Sequence, residues 1–220
     1  MPEKLPEVCA TDLALGCEQL KLSLTTQQHD ALLAYLALLH RWNKAYNLTA
    51  IRDPHEMLHK HVLDALAIVP HLTGKRILDV GSGGGIPGII LAIVRPESDY
   101  VLLDSNGKKT RFLTQAKIEL GLKHVEVQQN RAESYYPDRL FDRIVSRAFT
   151  ALDNMLNLCQ HLVLDDGEFW AMKGDYPEPN QQPIPEPWKI KQAVPLDVPF
   201  VDAQRHLIVI GRSEEQAWPE

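Results

Sequence analysis

The chain has 220 residues, of which 45% are hydrophobic and 24% charged, with a formal net charge of −6. That length buries a full core and suggests one domain with room for an appendage. The balance excludes a disordered chain and a strongly basic nucleic-acid binder. No apolar run approaches a membrane span, and Met1-Pro2-Glu3-Lys4 lacks the basic-then-apolar start of a signal peptide. Cys9, Cys17 and Cys159 are an odd count without metal-site spacing, as expected for free thiols in a reducing cytoplasm. The two ends of the chain are acidic, whereas residues 75–173 balance their charges.

Residues 1–22 carry a loose apolar pattern around Gly16 and read as a short helix or a frayed arm. The pair Thr25 and Gln28 resembles a capping box. After it, Leu32, Leu36, Leu39, Trp42 and Tyr46 recur at helical spacing and predict an amphipathic helix of about 20 residues. Its end, Arg41-Trp42-Asn43-Lys44-Ala45-Tyr46-Asn47-Leu48-Thr49, mixes cations, aromatics and amides. Such groups stack on bases and pair with phosphates, or they form a helix end with Trp42 in the core.

His55-Glu56-Met57-Leu58-His59 spells H-E-x-x-H, the helical zinc-protease pattern. Asp53 as cap, Pro54 as first helical residue and Glu56 three after the cap explain the stretch as a helix start. His55 would sit in a frayed first turn, and no third ligand follows at metalloprotease spacing. No metal is expected. Leu58, Val62, Leu66 and Val69 predict an apolar helix face up to Thr73-Gly74.

From Lys75 the pattern alternates strand and helix. Strands are predicted near 76–80, 100–104, 124–128, 141–146 and 167–172, and helices near 87–94, 107–120 and 151–162. Such alternation makes a parallel sheet with helices on both faces, and a ligand binds outside the carboxyl ends of the strands. At the first of those ends stands Asp79-Val80-Gly81-Ser82-Gly83-Gly84-Gly85-Ile86-Pro87-Gly88. A dinucleotide loop needs glycine where Ile86 stands, and a P-loop needs Gly-Lys-Ser/Thr. The remaining Asp-x-Gly-x-Gly-x-Gly resembles motif I of the Rossmann-like methyltransferases, in which S-adenosylmethionine lies over the loop.

Asp104 ends the second strand about 20 residues past the glycine loop. It is placed to accept from ribose hydroxyls, or else it caps the following helix. Lys108, Lys109 and Arg111 open that helix, as phosphate ligands or as a solvated face. Glu133, just past the third strand, stands where methyltransferases of this class contact adenine, or is a solvated loop charge. Arg147, leaving the fourth strand, would point into the cleft. It stays cationic and cannot act as a base, but it binds carboxylate or phosphate.

The prolines at 177, 179, 183, 185, 187, 195 and 199 mark a surface excursion, after which residues 205–210 return as a strand. Residues 188–194 are placed to pair with it as a closing hairpin. The end around Glu214-Glu215 is expected to be mobile.

Trp42 to Thr49, His61-Val62-Leu63-Asp64-Ala65, Asp79 to Gly88, Leu103-Asp104-Ser105, Ser146-Arg147-Ala148 and Met172-Lys173-Gly174 together resemble the bacterial 16S ribosomal RNA (guanine-N7)-methyltransferases, the small-subunit methyltransferase G or glucose-inhibited division protein B family. The resemblance runs from about Thr25 to Arg212. It implies a class I Rossmann-like α/β fold with a mostly parallel sheet and a closing antiparallel hairpin over 75–220, and an N-terminal helical appendage over 1–74. It implies methyl transfer from S-adenosylmethionine to N7 of guanine 527 in the 530 loop, on 16S rRNA, the 30S subunit or its precursor. It further implies cofactor contacts at Gly81, Ile86, Ala132, Glu133 and Arg147; Asp104 is added by strand logic. Gly84 replaces the proline that relatives often carry there. Guanine N7 already has a lone pair, so Arg147 and Lys173 are expected to position ligands, with no residue serving as acid or base. A cytoplasmic monomer is expected. A methyltransferase for a small molecule or protein, and a non-catalytic binding module, are the alternatives.

Overall fold

The structure, a computed structural model, describes residues 5–174, 176 and 184–213. The prolines at 177, 179 and 183 and the pair Glu214-Glu215 lie outside the described residues.

Seven strands form one sheet: β1 (Arg76–Val80), β2 (Asp99–Asp104), β3 (Val125–Gln129), β4 (Phe141–Arg147), β5 (Val163–Lys173), β6 (Trp188–Pro195) and β7 (His206–Arg212). Their order is β3-β2-β1-β4-β5-β7-β6. The first five are parallel, and β7 runs antiparallel between β5 and β6. The predicted strands and closing hairpin are therefore present, with β5 starting earlier than its apolar core suggested. Strand order reverses between β1 and β4. The loops after those two strands diverge there and open a crevice.

Side chains alternate across the sheet. Leu78 and Val80 of β1 face a core built with α7 (Leu152–Cys159), whereas Ile77 faces the larger core beneath the other helices. Those helices are α1 (Glu7–Gln19), α2 (Thr26–Tyr46), α3 (Pro54–Met57), a π-helix (Leu58–Leu63), α4 (Asp64–Leu66), α5 (Gly88–Val94) and α6 (Gly107–Glu119). Leu13, Leu36, Leu63, Ile90 and Phe112 share that core, so the N-terminal helices pack continuously onto the sheet's helical layer. No helix among the described residues is long and apolar enough to cross a membrane.

Local chemistry sets the helix starts. Thr25 and Gln28 form the full capping box. Asp53 caps α3 by accepting from Glu56 N at 2.9 Å. The Glu56 side chain does not return to that cap; it pairs with Lys60 at 3.0 Å. The following turn widens into a π-helix, a form frequently found at functional sites. Trp42 packs edge-on against Phe112, while the amide of buried Asn43 donates to Ile51 O and accepts from Thr49 N, both at 2.9 Å. Asn47 takes the left-handed conformation that ends α2. The Arg41–Thr49 stretch is thus first a helix terminus and a stapled turn.

Candidate functional site

The glycine loop is held from both sides. Tyr35 of α2 donates to Gly84 O at 2.6 Å, and Ser82 Oγ donates to Asp79 O at 2.8 Å. Asp79 Oδ2 accepts from Gly88 N at 3.0 Å, at the start of α5. A Cβ on Gly88 would collide with Asp79 and Leu102, so only glycine lets the helix start this close to β1. Asp79 Oδ1 is buried and has no hydrogen-bond partner among the described residues. Burial pushes the Asp79 carboxyl up to about 7.

Two cavities flank the crevice. The first, of about 340 Å³, lies between the glycine loop, the end of β2, the turn after β3 and the Ala148-Phe149 corner. Gly81, Asp104, Ala132 and Glu133 all line it. Asp104 Oδ2 accepts from Gly83 N and Oδ1 from Asn106 N, both at 2.9 Å. Its carboxylate is therefore fixed and faces the cavity, with acceptor capacity to spare. The cap of α6 is Asn106, whose side chain accepts from Lys108 N. Lys109 reaches this cavity too, with Nζ 3.7 Å from Asp104 Oδ2. Glu133 is half-exposed beside Arg131. A carboxylate at the β2 end, apolar walls from Leu103, Ala132 and Phe149, and a glycine edge fit an adenosine with a short polar tail.

The second cavity, of about 440 Å³, adjoins the first at Ala148, which lines both and holds φ +52°. Lys60, His61, Asp64, Arg147, Lys173 and Arg205 line it. Arg147, expected among the cofactor contacts, has its side chain on this second cavity, next to the shared Ala148. Nη1 donates to Asp64 Oδ2 at 2.9 Å and to Lys60 O at 2.6 Å, while Nη2 meets His61 Nδ1 at 2.6 Å. Arg205 Nε donates to the other Asp64 oxygen at 3.0 Å. Lys173 Nζ donates to Thr150 O at 2.9 Å, and burial draws its ammonium below the usual lysine range. Ile86 lies buried beneath the glycine loop and lines neither cavity.

The His61 tautomer follows from its partners. Nδ1 faces Arg147 Nη2 at 2.6 Å and Lys60 O at 3.0 Å; a guanidinium only donates and Lys60 O already accepts from Arg147 Nη1, so we assign Nδ1 as the acceptor, without a proton. Nε2 then holds the proton and donates to Thr49 Oγ1 at 2.7 Å. Burial, reinforced by the Arg147 charge, depresses the imidazole to about 3. Thr49, His61, Asp64 and Arg205 were given no individual role in the sequence reading. The signal for Thr49 lay in the stretch read as an RNA-stacking segment or helix end, and that for His61 and Asp64 in the His61–Ala65 family marker; Arg205 lies in neither.

The H-E-x-x-H stretch has a third partner that spacing rules did not reveal. Asp12 of α1, 43 residues before His55, reaches both His55 and His59. No third ligand was found by spacing along the chain; the fold supplies a carboxylate beside the two histidines.

The family model described as "rRNA small subunit methyltransferase G" (GidB) matches residues 28–208. The chain is 52% identical over 199 residues to "Ribosomal RNA small subunit methyltransferase G" of Marinobacter nauticus, covering 90% of this chain and 93% of the relative. It is 49% identical over 215 residues to the protein of the same name from Hydrogenovibrio crunogenus, covering 98% and 100%. Among solved structures it is similar in fold to the ribosomal protein L11 methylase of Lactobacillus delbrueckii subsp. bulgaricus, at TM-score 0.52 and 16% identity, covering 76% and 90%. TrmN from Thermus thermophilus is similar at TM-score 0.51 and 18% identity, covering 78% of this chain and 53% of that one. Family match, identity along nearly the whole length and the class I strand order agree, and the chain belongs to the rRNA small subunit methyltransferase G family.

Proposed function

We propose that this chain methylates N7 of guanine 527 in the 530 loop of 16S rRNA, acting as a cytoplasmic monomer on the 30S subunit or its precursor. Its cofactor, S-adenosylmethionine, supplies an electrophilic methyl group on a sulfonium. Gly81, Asp104, Ala132 and Glu133 hold the cofactor in the first cavity, with Asp104 accepting from the ribose. Ile86 supports the loop from below. The second cavity receives the guanine, and the shared Ala148 edge brings the two ligands together.

The observation that carries the reading is that neither the carboxylate nor the buried histidine of the second cavity is free to act as a base, while His206 at its edge is turned with Nδ1 to Gly174 O at 2.9 Å. The carboxylate, Asp64, is held by two arginines, and the His61 lone pair is used by Arg147. Guanine N7 has a lone pair in the base plane and needs no deprotonation. Alignment and proximity then supply the catalysis. Arg147 and Lys173 are positioning residues: their charges orient the purine edge or flanking phosphates. N7 lies in the deep, narrow major groove of paired RNA, so the target must be in a loop or displaced.

The test is transfer of labelled methyl to small subunits from cells lacking the modification, with the nucleoside and its position identified. Label in 7-methylguanosine at one loop position supports the proposal. Label in a different nucleoside overturns it. The net charge of −6 favours a small-molecule or protein acceptor instead, and label outside RNA would establish that second reading.

A further inference from the structure

We infer that Asp12, His55 and His59 form a site for one divalent transition-metal ion of the zinc type. His55 and His59 stand four residues apart, one on α3 and the other in the first turn of the π-helix. Their Nε2 atoms both lie 2.7 Å from the same oxygen of Asp12, which comes from α1. All three donor atoms fall within 4.8 Å of one another.

The donor set has the right chemistry. Two imidazole nitrogens and one carboxylate oxygen make a three-ligand zinc site that leaves a fourth position for water. Bonds of about 2.0 Å in a tetrahedral site put neighbouring ligand atoms about 3.3 Å apart. The Asp12 oxygen would withdraw by about half an ångström from each nitrogen to admit the ion. Both nitrogens must be free of protons, so each ring takes the Nδ1–H tautomer on loading. Phe200 stacks on His59 with 4.7 Å between ring centroids and a 24° tilt, which fixes the plane of that ligand. The Asp12 and His59 side chains are each 14% exposed and His55 is 36% exposed, so the site is sheltered yet open to an entering ion.

This is not the protease arrangement that H-E-x-x-H suggests. Glu56, which would be the base, is tied to Lys60. The ion would join α1 to the turn that carries Lys60 and His61 to the second cavity. The site is thus a clamp outside the reacting groups.

The experiment uses the full chain, stripped with a chelator and titrated with Zn²⁺ by calorimetry and thermal unfolding. One ion per chain is expected, with Tm raised by about 5–10 °C at a hundredfold excess over Kd. H55Q and H59Q should each weaken binding at least tenfold, and D12N likewise. Their zinc-free unfolding curves and S-adenosylhomocysteine affinity check that they fold. Co²⁺ substitution should give visible bands without the thiolate-to-metal absorption that binding at Cys9, Cys17 or Cys159 would produce. Absent zinc binding, binding unchanged in H55Q and H59Q, or a thiolate spectrum would each overturn the assignment.

Discussion

Arg147 Nη2 donates to Nδ1 of His61 at 2.6 Å, and that contact decides what the imidazole can do. With Nδ1 engaged and Nε2–H given to Thr49, the ring has no lone pair left for a substrate proton. It is a strut between the turn after α2 and the end of β4. A general base contributes about 10²–10⁴-fold to turnover. His61→Asn, whose side-chain oxygen can accept from Arg147, should therefore keep kcat within about tenfold of the parent. Arg147→Ala frees His61 and one oxygen of Asp64 and should lower kcat/KM by about 10²-fold, the scale of a lost charge-assisted positioning contact. Steady-state methyl transfer checks both. A His61→Asn loss beyond 10³-fold, with the acid limb of the pH profile abolished, would make the histidine a base.

Gly81 has φ +70°, and an added Cβ would lie 2.5 Å from Phe149 Cδ2. Both residues line the first cavity, so the methyl cannot be accommodated without pushing the ring into the proposed adenosine space. Gly81→Ala should weaken S-adenosylhomocysteine binding by about 10–100-fold and cost about 1 kcal/mol of stability from the left-handed backbone. Calorimetric titration reads the affinity. Gly81→Ala combined with Phe149→Ala should recover part of the loss. No recovery would show that backbone strain, and not the ring, is responsible.

Asn43 lies within a stretch read as suited to stacking on RNA or to ending a helix, and the fold gives it a stapling task. Its buried amide joins Thr49 N and Ile51 O, and Thr49 in turn holds His61. Asn43→Ala leaves a donor and an acceptor in need of partners and should cost about 2–3 kcal/mol in urea unfolding. Turnover should fall along with stability, because Thr49 loses its anchor. Equal stability of the variant and the parent would mean that water replaces the amide.

The contrast between Asp104 and His61 shows what the sequence could disclose. In a parallel sheet every strand ends at one edge, so a carboxylate closing an apolar run and a glycine loop closing another must meet there. Gly81, Asp104 and Glu133 were assigned to that edge on the strand rule and Ala132 through the family resemblance, and all four line the first cavity. His61 is held by Thr49 and by Arg147, which together with Arg205 grips the neighbouring Asp64, and both arginines come from far downstream in the chain. No periodicity encodes such a network. Asp12 escaped notice for the same reason: its histidine partners lie more than 40 residues downstream, and α1 has no cap or strong stripe to fix its register. The π-helix was read as ordinary helix, since one extra residue per turn barely alters the apolar spacing over six residues.

Asp79 makes the folded protein sensitive to alkali rather than acid. Its carboxyl is buried, has an unpartnered Oδ1, and is pushed from 3.8 up to about 7. Between those values the folded state keeps a proton that the unfolded chain has released. Stability from this group is therefore full below about 3.8 and declines as pH rises towards 7, by about 1.4 kcal/mol per pH unit. His61 acts in the opposite sense. Its folded value of about 3 lies below the ordinary 6.5, so the unfolded chain takes up a proton first and stability falls as pH drops through 6.5. Over the shared window the two slopes cancel, and the parent protein should show little net dependence from this pair. Asp79→Asn removes one arm only. The stability of the parent relative to Asp79→Asn should fall as pH rises from 5 to 7, by about 2–3 kcal/mol in denaturant titrations. A constant difference across that range would mean that Asp79 is ionised throughout, with its charge met by a partner inside the fold.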